Sequence, residues 1–225
     1  EVLVIDDGGS DNLSELLYST SLELQLKYFY LPKLDKSFRA GIARNFGVNK
    51  SRSEKICFLD SDILVPKDFL NSVLAGLEAS DLVMARRRYL KNIQSEPVLN
   101  ECLSLDEIFT EKLYRAGNWN EMKLKWMYVC TYALGLEKKS FFKWGGFSRN
   151  FLKYGYEDTE LGFNAAAQNA QFQLLDIDVF HIPDDDLSMN GLIDGKRREI
   201  LRESAEVFYK NTLTTESLEA IAWLL

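Results

Sequence analysis

Two short apolar runs, each stopped by paired aspartates, constrain this chain more than any other feature. Glu1-Val-Leu-Val-Ile5 runs into Asp6-Asp7-Gly8-Gly9-Ser10, and Lys55-Ile-Cys-Phe-Leu59 runs into Asp60-Ser61-Asp62. Short apolar runs bounded by turn formers read as buried strands. Helical spacing separates them: Leu13, Leu16 and Leu17, then Ala40, Ala43, Phe46 and Gly47 within Phe38 to Asn49. Leu24 to Tyr30 and Asp81 to Ala85 are further strand candidates, and Phe69 to Leu77 is a further helix. Strands alternating with helices predict an α/β fold whose mostly parallel sheet carries helices on both faces.

The second half is less regular. From about 92 to 125 the pattern turns polar and helical, which predicts an insertion over one sheet edge. Trp126 to Glu137 regains strand character, Glu157 to Ala170 is a helix with Leu161, Ala165 and Ala166 inward, and Leu174 to Phe180 is a last strand. Ile193 to Leu225 predicts two closing helices broken near Asn211. Leu218, Ile221, Ala222 and Leu225 share one face of the second, so that face is expected to pack on its own sheet or on a second copy of the chain. No repeat or low-complexity linker divides the 225 residues, so one domain is expected.

Composition removes several function classes. Lys plus Arg number 27 against 34 Asp plus Glu, and a net charge of −7 argues against a general nucleic-acid or anionic-membrane binder. No apolar run approaches the roughly 20 residues of a membrane span, so no integral membrane segment is expected. Cys57, Cys102 and Cys130 are odd in number and lack metal-type spacing, which fits free thiols in a reducing, cytoplasmic setting.

In an open α/β sheet, ligands sit outside the carboxyl ends of the strands. Both aspartate clusters fall there. Residues i and i+2 of an extended chain point the same way about 6–7 Å apart, so Asp60 and Asp62 can address one ligand. Two carboxylates suit a hard divalent cation, which in turn can hold a diphosphate. The bland alternative is that these residues only cap helices and make turns. A third cluster, Tyr154-Gly-Tyr-Glu157-Asp158-Thr-Glu160, opens a helix, where acidic residues favour the dipole. The same place can present an ionised carboxylate to a reacting hydroxyl. His181, the only histidine, ends the last strand and is a candidate metal ligand.

These segments resemble a family. Val2-Leu-Val-Ile-Asp-Asp-Gly-Gly-Ser-Asp11, Ala43-Arg-Asn-Phe-Gly47 and Phe58-Leu-Asp-Ser-Asp62 look like the nucleotide-sugar half of family-2 glycosyltransferases of the GT-A fold. Lys143-Trp-Gly-Gly-Phe147, Tyr154-Gly-Tyr-Glu-Asp-Thr-Glu-Leu-Gly-Phe163 and Phe180-His181 look like the acceptor half shared by chondroitin polymerases and β-1,4-galactosyltransferases. The resemblance covers residues 1–183. It implies a transferase domain with a nucleotide-sugar half at about 1–91 and an acceptor half at about 92–183; residues 184–225 would be a helical extension of the same domain. It also implies that the family's first strand–helix unit, which precedes the Val-Ile-Asp-Asp strand, is missing here. Ser148-Arg149-Asn150 departs from the acidic continuation usual after Gly-Gly-Phe.

Carried over by resemblance, Asp7 and Asp60 would bind the nucleotide, with Arg44 beside them. Asp62 of the Asp-x-Asp motif and His181 would hold Mn²⁺ or Mg²⁺. Trp144, Gly145 and Gly146 would shape the sugar and acceptor pocket, Glu157 would hold hydroxyls, and Asp158 would be the catalytic base. The function expected is metal-dependent, inverting transfer of a sugar from a nucleotide donor, a UDP-sugar first of all, to a hydroxyl of a glycan or glycoprotein. Two other readings stay open: a sugar nucleotidyltransferase, and a non-catalytic carbohydrate-binding or assembly module derived from a transferase.

Overall fold

The computed structural model describes residues 1–10, 13–19, 25–33, 35, 37–90, 102–105, 119, 122–182 and 195–224. Strand β1 (Val2–Asp6) is followed by helix α1 (Leu13–Ser19) and pairs in parallel with β2 (Leu26–Tyr30), Asp6 opposite Tyr30. Helix α2 (Ala40–Lys50) lies against this pair, with Gly47 seated on Ile5.

The main sheet runs in the order β3-β7-β5-β8-β4, with β6 on β5. Its strands are β3 (Lys55–Leu59), β4 (Ile63–Leu64), β5 (Leu82–Leu90), β6 (Cys102–Leu105), β7 (Ala133–Glu137) and β8 (Phe172–His181). This sheet is mixed, not mostly parallel. Only β5 and β8 run in parallel; β7 is antiparallel to both β3 and β5, β4 to β8, and β6 to β5. β3 and β5 do run the same way, as βαβ logic requires, but β7 enters between them from the carboxyl end. A strand buried on both faces is apolar whichever way its neighbours run, so the sequence pattern hides this.

Side chains alternate across β5. Leu82 and Met84 face a core of Val48, Phe58, Phe141 and Leu161, whereas Val83 and Ala85 face Phe69, Val73 and Leu175. The first layer is supplied by α2, α4 (Lys138–Lys143) and α5 (Glu157–Ala166), the second by α3 (Phe69–Gly76). Helices therefore cover both faces. Close approach of α3 depends on Gly135 in β7, where a Cβ would stand 2.5 Å from Val73 Cγ1.

The closing helices are α6 (Gly195–Thr212) and α7 (Thr215–Ile221), broken at Leu213, whose φ is +50°. Thr214 and Ser217 form a reciprocal capping box that starts α7. The face expected to be apolar is corrected: Ala220, Ile221 and Leu224 are buried against Phe151, Phe208 and Trp126, and Ser217 is buried too, while Leu218 and Ala222 are exposed. That packing lies within the chain, and Leu225 is outside the described residues. Most of 92–125 is also outside them, but Cys102–Leu105 is a strand where helix was expected. Among the described residues, no helix is long and apolar enough to cross a membrane.

Candidate active site

Arg44, on α2, gathers carboxylates from both halves of the chain. Its Nη2 donates to Asp60 Oδ1 at 3.2 Å, and its Nη1 reaches Glu157 Oε1 at 3.2 Å and Asp158 Oδ1 at 3.5 Å. A planar guanidinium with five donors can serve several carboxylates at once, which an ammonium does less well. The Phe147 ring lies 5.6 Å from the guanidinium carbon. Phe147 is fixed in turn by Asn45, whose amide donates to its carbonyl at 2.8 Å and accepts from its N–H at 3.0 Å. Gly145 and Gly146, with φ of +90° and +65°, make the turn that permits this docking.

Glu157 and Asp158 open α5. The residue before them, Tyr156, has a left-handed φ of +68° and stacks on Phe208 of α6 at 5.7 Å. A non-glycine residue there is strained, so surrounding packing must impose it. α6 supplies that packing: Ser204 donates to the Tyr154 carbonyl at 3.0 Å, and Asn211 to Glu160 Oε2 at 2.7 Å. Asp158 Oδ2 accepts from both the backbone N–H and the hydroxyl of Thr131, each at 3.0 Å. Burial, with the adjacent Asp158 charge, pushes Glu157 up to about 7 against the pull of Arg44. Burial also raises Asp60, and Arg44 again opposes it.

Asp62 lies between β3 and β4. Ile63 pairs with His181 at the end of β8, and the Ile182 N–H donates to the Asp62 carbonyl at 2.8 Å. This ladder brings Asp62 Oδ2 to 3.2 Å from His181 Nε2, and that bond holds Asp62 below its usual range. Tyr89 packs on the His181 ring with centroids 5.2 Å apart. His181 Nδ1 is buried without a hydrogen-bond partner, so the ring's polar contact is spent on the carboxylate. A hard oxygen beside an imidazole, with half of Asp62 open to solvent, fits Mn²⁺ or Mg²⁺. No group of three or more potential ligands converges among the described residues, so the other coordination positions would fall to water or a bound ligand.

Two expected site residues stand apart from this constellation. Asp7 accepts from Arg39 Nη2 at 2.6 Å and from Lys33 at 3.4 Å, at the entrance to α2. Trp144, expected in the sugar and acceptor pocket, is instead buried in the core beside Phe141 and Phe147. The Gly145-Gly146 turn serves α2 through Asn45. Arg39, Thr131 and Phe147 escaped sequence reasoning. Arg39 had a signal, a second arginine five residues before Arg44 at a helix start; Thr131 had none.

Comparison with known proteins identifies the family and the fold. The family model for glycosyl transferase family 2 matches residues 1–144. The chain is 28% identical over 190 residues to validoxylamine A glucosyltransferase of Streptomyces hygroscopicus subsp. jinggangensis, covering 74% of this chain and 44% of that enzyme. It is 26% identical over 201 residues to hyaluronan synthase of Pasteurella multocida, covering 78% and 20% respectively. The chain thus spans less than half the length of these curated relatives. Among solved structures, S. aureus TarS 1-349 in complex with UDP-GlcNAc superposes with a TM-score of 0.61 at 18% identity, over 100% of this chain and 62% of that one. GalNAc-T7 with UDP, GalNAc and Mn²⁺ gives 0.61 at 13% identity, over 100% and 48%. The α/β fold is the one these transferases share, and this chain belongs to glycosyl transferase family 2.

Proposed function

We propose that the chain transfers a sugar from a UDP-sugar to a hydroxyl of a glycan or glycoprotein, with inversion at the anomeric carbon. The observation behind this reading is the convergence on Arg44 of Asp60 from the donor half with Glu157 and Asp158 from the acceptor half. Asp62 and His181 would hold a Mn²⁺ or Mg²⁺ ion, which supplies charge neutralisation for the leaving diphosphate. Asp60 and Arg44 would bind the nucleotide end. Glu157 would hold substrate hydroxyls, and Asp158 would accept the proton of the attacking hydroxyl. The electron pair so released forms the bond to the anomeric carbon while the bond from that carbon to the diphosphate oxygen breaks, its pair leaving with UDP. A single displacement inverts the centre.

The UDP-GlcNAc bound by TarS and the UDP and Mn²⁺ bound by GalNAc-T7 support a UDP donor. Family membership favours transfer over nucleotidyl chemistry. A panel of UDP-sugars, assayed for UDP release with and without Mn²⁺ and glycan acceptors, tests the reading. Metal-dependent release that increases with acceptor supports it. Binding of sugar without turnover on any donor would favour the non-catalytic module.

A further inference from the structure

We propose that Thr131 is the positioning residue for Asp158, fixing which carboxylate oxygen receives the proton. The inference rests on reading Asp158 as the base. Thr131 is 1% exposed, and both of its donors point at Oδ2. Oδ2 thus has both lone pairs engaged, one of them by a backbone N–H that cannot turn to accept, so a proton there would have to displace a buried donor. Among the described residues Oδ1 meets a single donor, Arg44 at 3.5 Å, a cation shared with Asp60 and Glu157, and so keeps a lone pair for the proton. The transferred proton therefore goes to Oδ1, and Thr131 keeps that oxygen on the Arg44 side.

The fold holds Thr131 in place from two sides. The next residue, Tyr132, accepts the Asp60 N–H at its carbonyl at 3.1 Å and donates its hydroxyl to the Ala85 carbonyl at 2.8 Å. On the other side, α5 presses against the segment leading to Thr131. Gly162, one turn beyond Asp158, leaves room for this: a Cβ there would stand 2.6 Å from the Trp126 carbonyl and 2.7 Å from Val129 Cγ2. The distance from α5 to Thr131 is thus set by backbone contact. One short segment fixes both the Asp60 loop and the Asp158 carboxylate.

Thr131→Val keeps the side-chain volume and the N–H bond but removes the hydroxyl bond. We expect kcat for transfer to fall about tenfold, the scale of one hydrogen bond to a charged group, with acceptor KM and UDP affinity within about twofold. Thr131→Ser restores the hydroxyl and most of the rate. Adding Thr131→Val to Asp158→Asn lowers the rate no further, because Thr131 acts through Asp158. Should valine prevent folding, Thr131→Ala and Thr131→Ser give the same contrast. Wild-type turnover in a folded Thr131→Val protein overturns the inference, as do multiplying losses in the double variant or a serine variant as slow as the valine one. Normal transfer by Asp158→Asn sinks the base reading and this inference together. A slow Asp158→Asn protein beside a normal Thr131→Val protein sinks the inference alone.

Discussion

The two acidic pairs at the site differ in how the chain holds them. Asp60 and Asp62 sit in the turn between β3 and β4 with side chains 39% and 50% exposed, Asp60 against Arg44 and Asp62 against His181. Glu157 and Asp158 are 6% and 21% exposed and are held by Arg44 and Thr131, with α6 packed behind the turn that presents them. A pair that shares an exchangeable ion with a ligand needs open coordination positions. A pair that must meet a hydroxyl at a fixed angle needs immobility, because misplacement by even an ångström is costly in rate. The first is open and loosely held; the second is enclosed and over-determined.

Asp158→Asn should break this comparison most visibly. Asparagine keeps the shape and still accepts the Thr131 bonds through its carbonyl oxygen, so the helix start survives. On the proposed reading the acceptor hydroxyl loses its base, and general-base catalysis is worth roughly 10²–10⁴-fold. Transfer should fall by at least about two orders of magnitude on that scale while Mn²⁺-dependent UDP affinity stays near wild type. A normal rate would leave the pair as a structural helix start.

Asp62→Asn should do the reverse. Metal-dependent UDP binding should weaken by at least about tenfold, the lower end of what even outer ligand-shell changes cost. His181→Ala should weaken it less, since the carboxylate remains. Calorimetry that finds normal UDP affinity in both variants would assign the Asp62–His181 pair to strand packing alone.

Phe208→Ala asks whether the closing helices support only the enclosed pair. Phe208 is fully buried under Tyr156 and Trp126, and truncating such a ring costs about 3–5 kcal/mol. The melting temperature should fall, and at temperatures where the variant stays folded, transfer should fall more than UDP binding. Equal losses in both would mean that α6 supports the whole domain and not the Tyr156 turn.

Much of this was legible in the sequence, and the losses have physical causes. Ile5-Asp6-Asp7 and Leu59-Asp60-Ser61-Asp62 announce strand ends because apolar runs and turn formers are local signals, and both lie at carboxyl ends in the structure. Arg44, Glu157 and Asp158 could be named from motif order, but nothing local says that one guanidinium joins them across more than a hundred residues. The direction of β7 was invisible, since Ala133-Leu-Gly-Leu136 is equally apolar in either orientation. Trp144 is assigned to a pocket only by its place in a motif, which carries no information on burial; in the structure its indole lies in the core. Thr131 sits among Val129, Cys130 and Tyr132 with no pattern to mark it, because its role is defined wholly by a partner from another element.

Acid–base behaviour offers the finest contrast between the pairs. Glu157 is raised from 4.5 to about 7, chiefly by burial and next by Asp158. Between those values the folded chain binds a proton more tightly than the unfolded chain. The stability this group contributes is therefore full below about 4.5 and is lost as pH rises through about 7. Asp62 is shifted the other way by His181, so its contribution is present above the unfolded value and is lost as pH falls through the folded one. Glutamine at 157 mimics the neutral acid at every pH. The drop in melting temperature from about pH 5 to about pH 8 should accordingly be shallower in Glu157→Gln than in the parent chain. Asp60 and Glu160, both raised chiefly by burial, stay in both proteins and leave a residual slope of the same sign. Asp62→Asn, measured without metal, should leave that neutral-range slope intact and flatten only the acid side. An unchanged slope in Glu157→Gln would mean that Arg44 neutralises the pair fully, and that the enclosed carboxylates are as relaxed as the open ones.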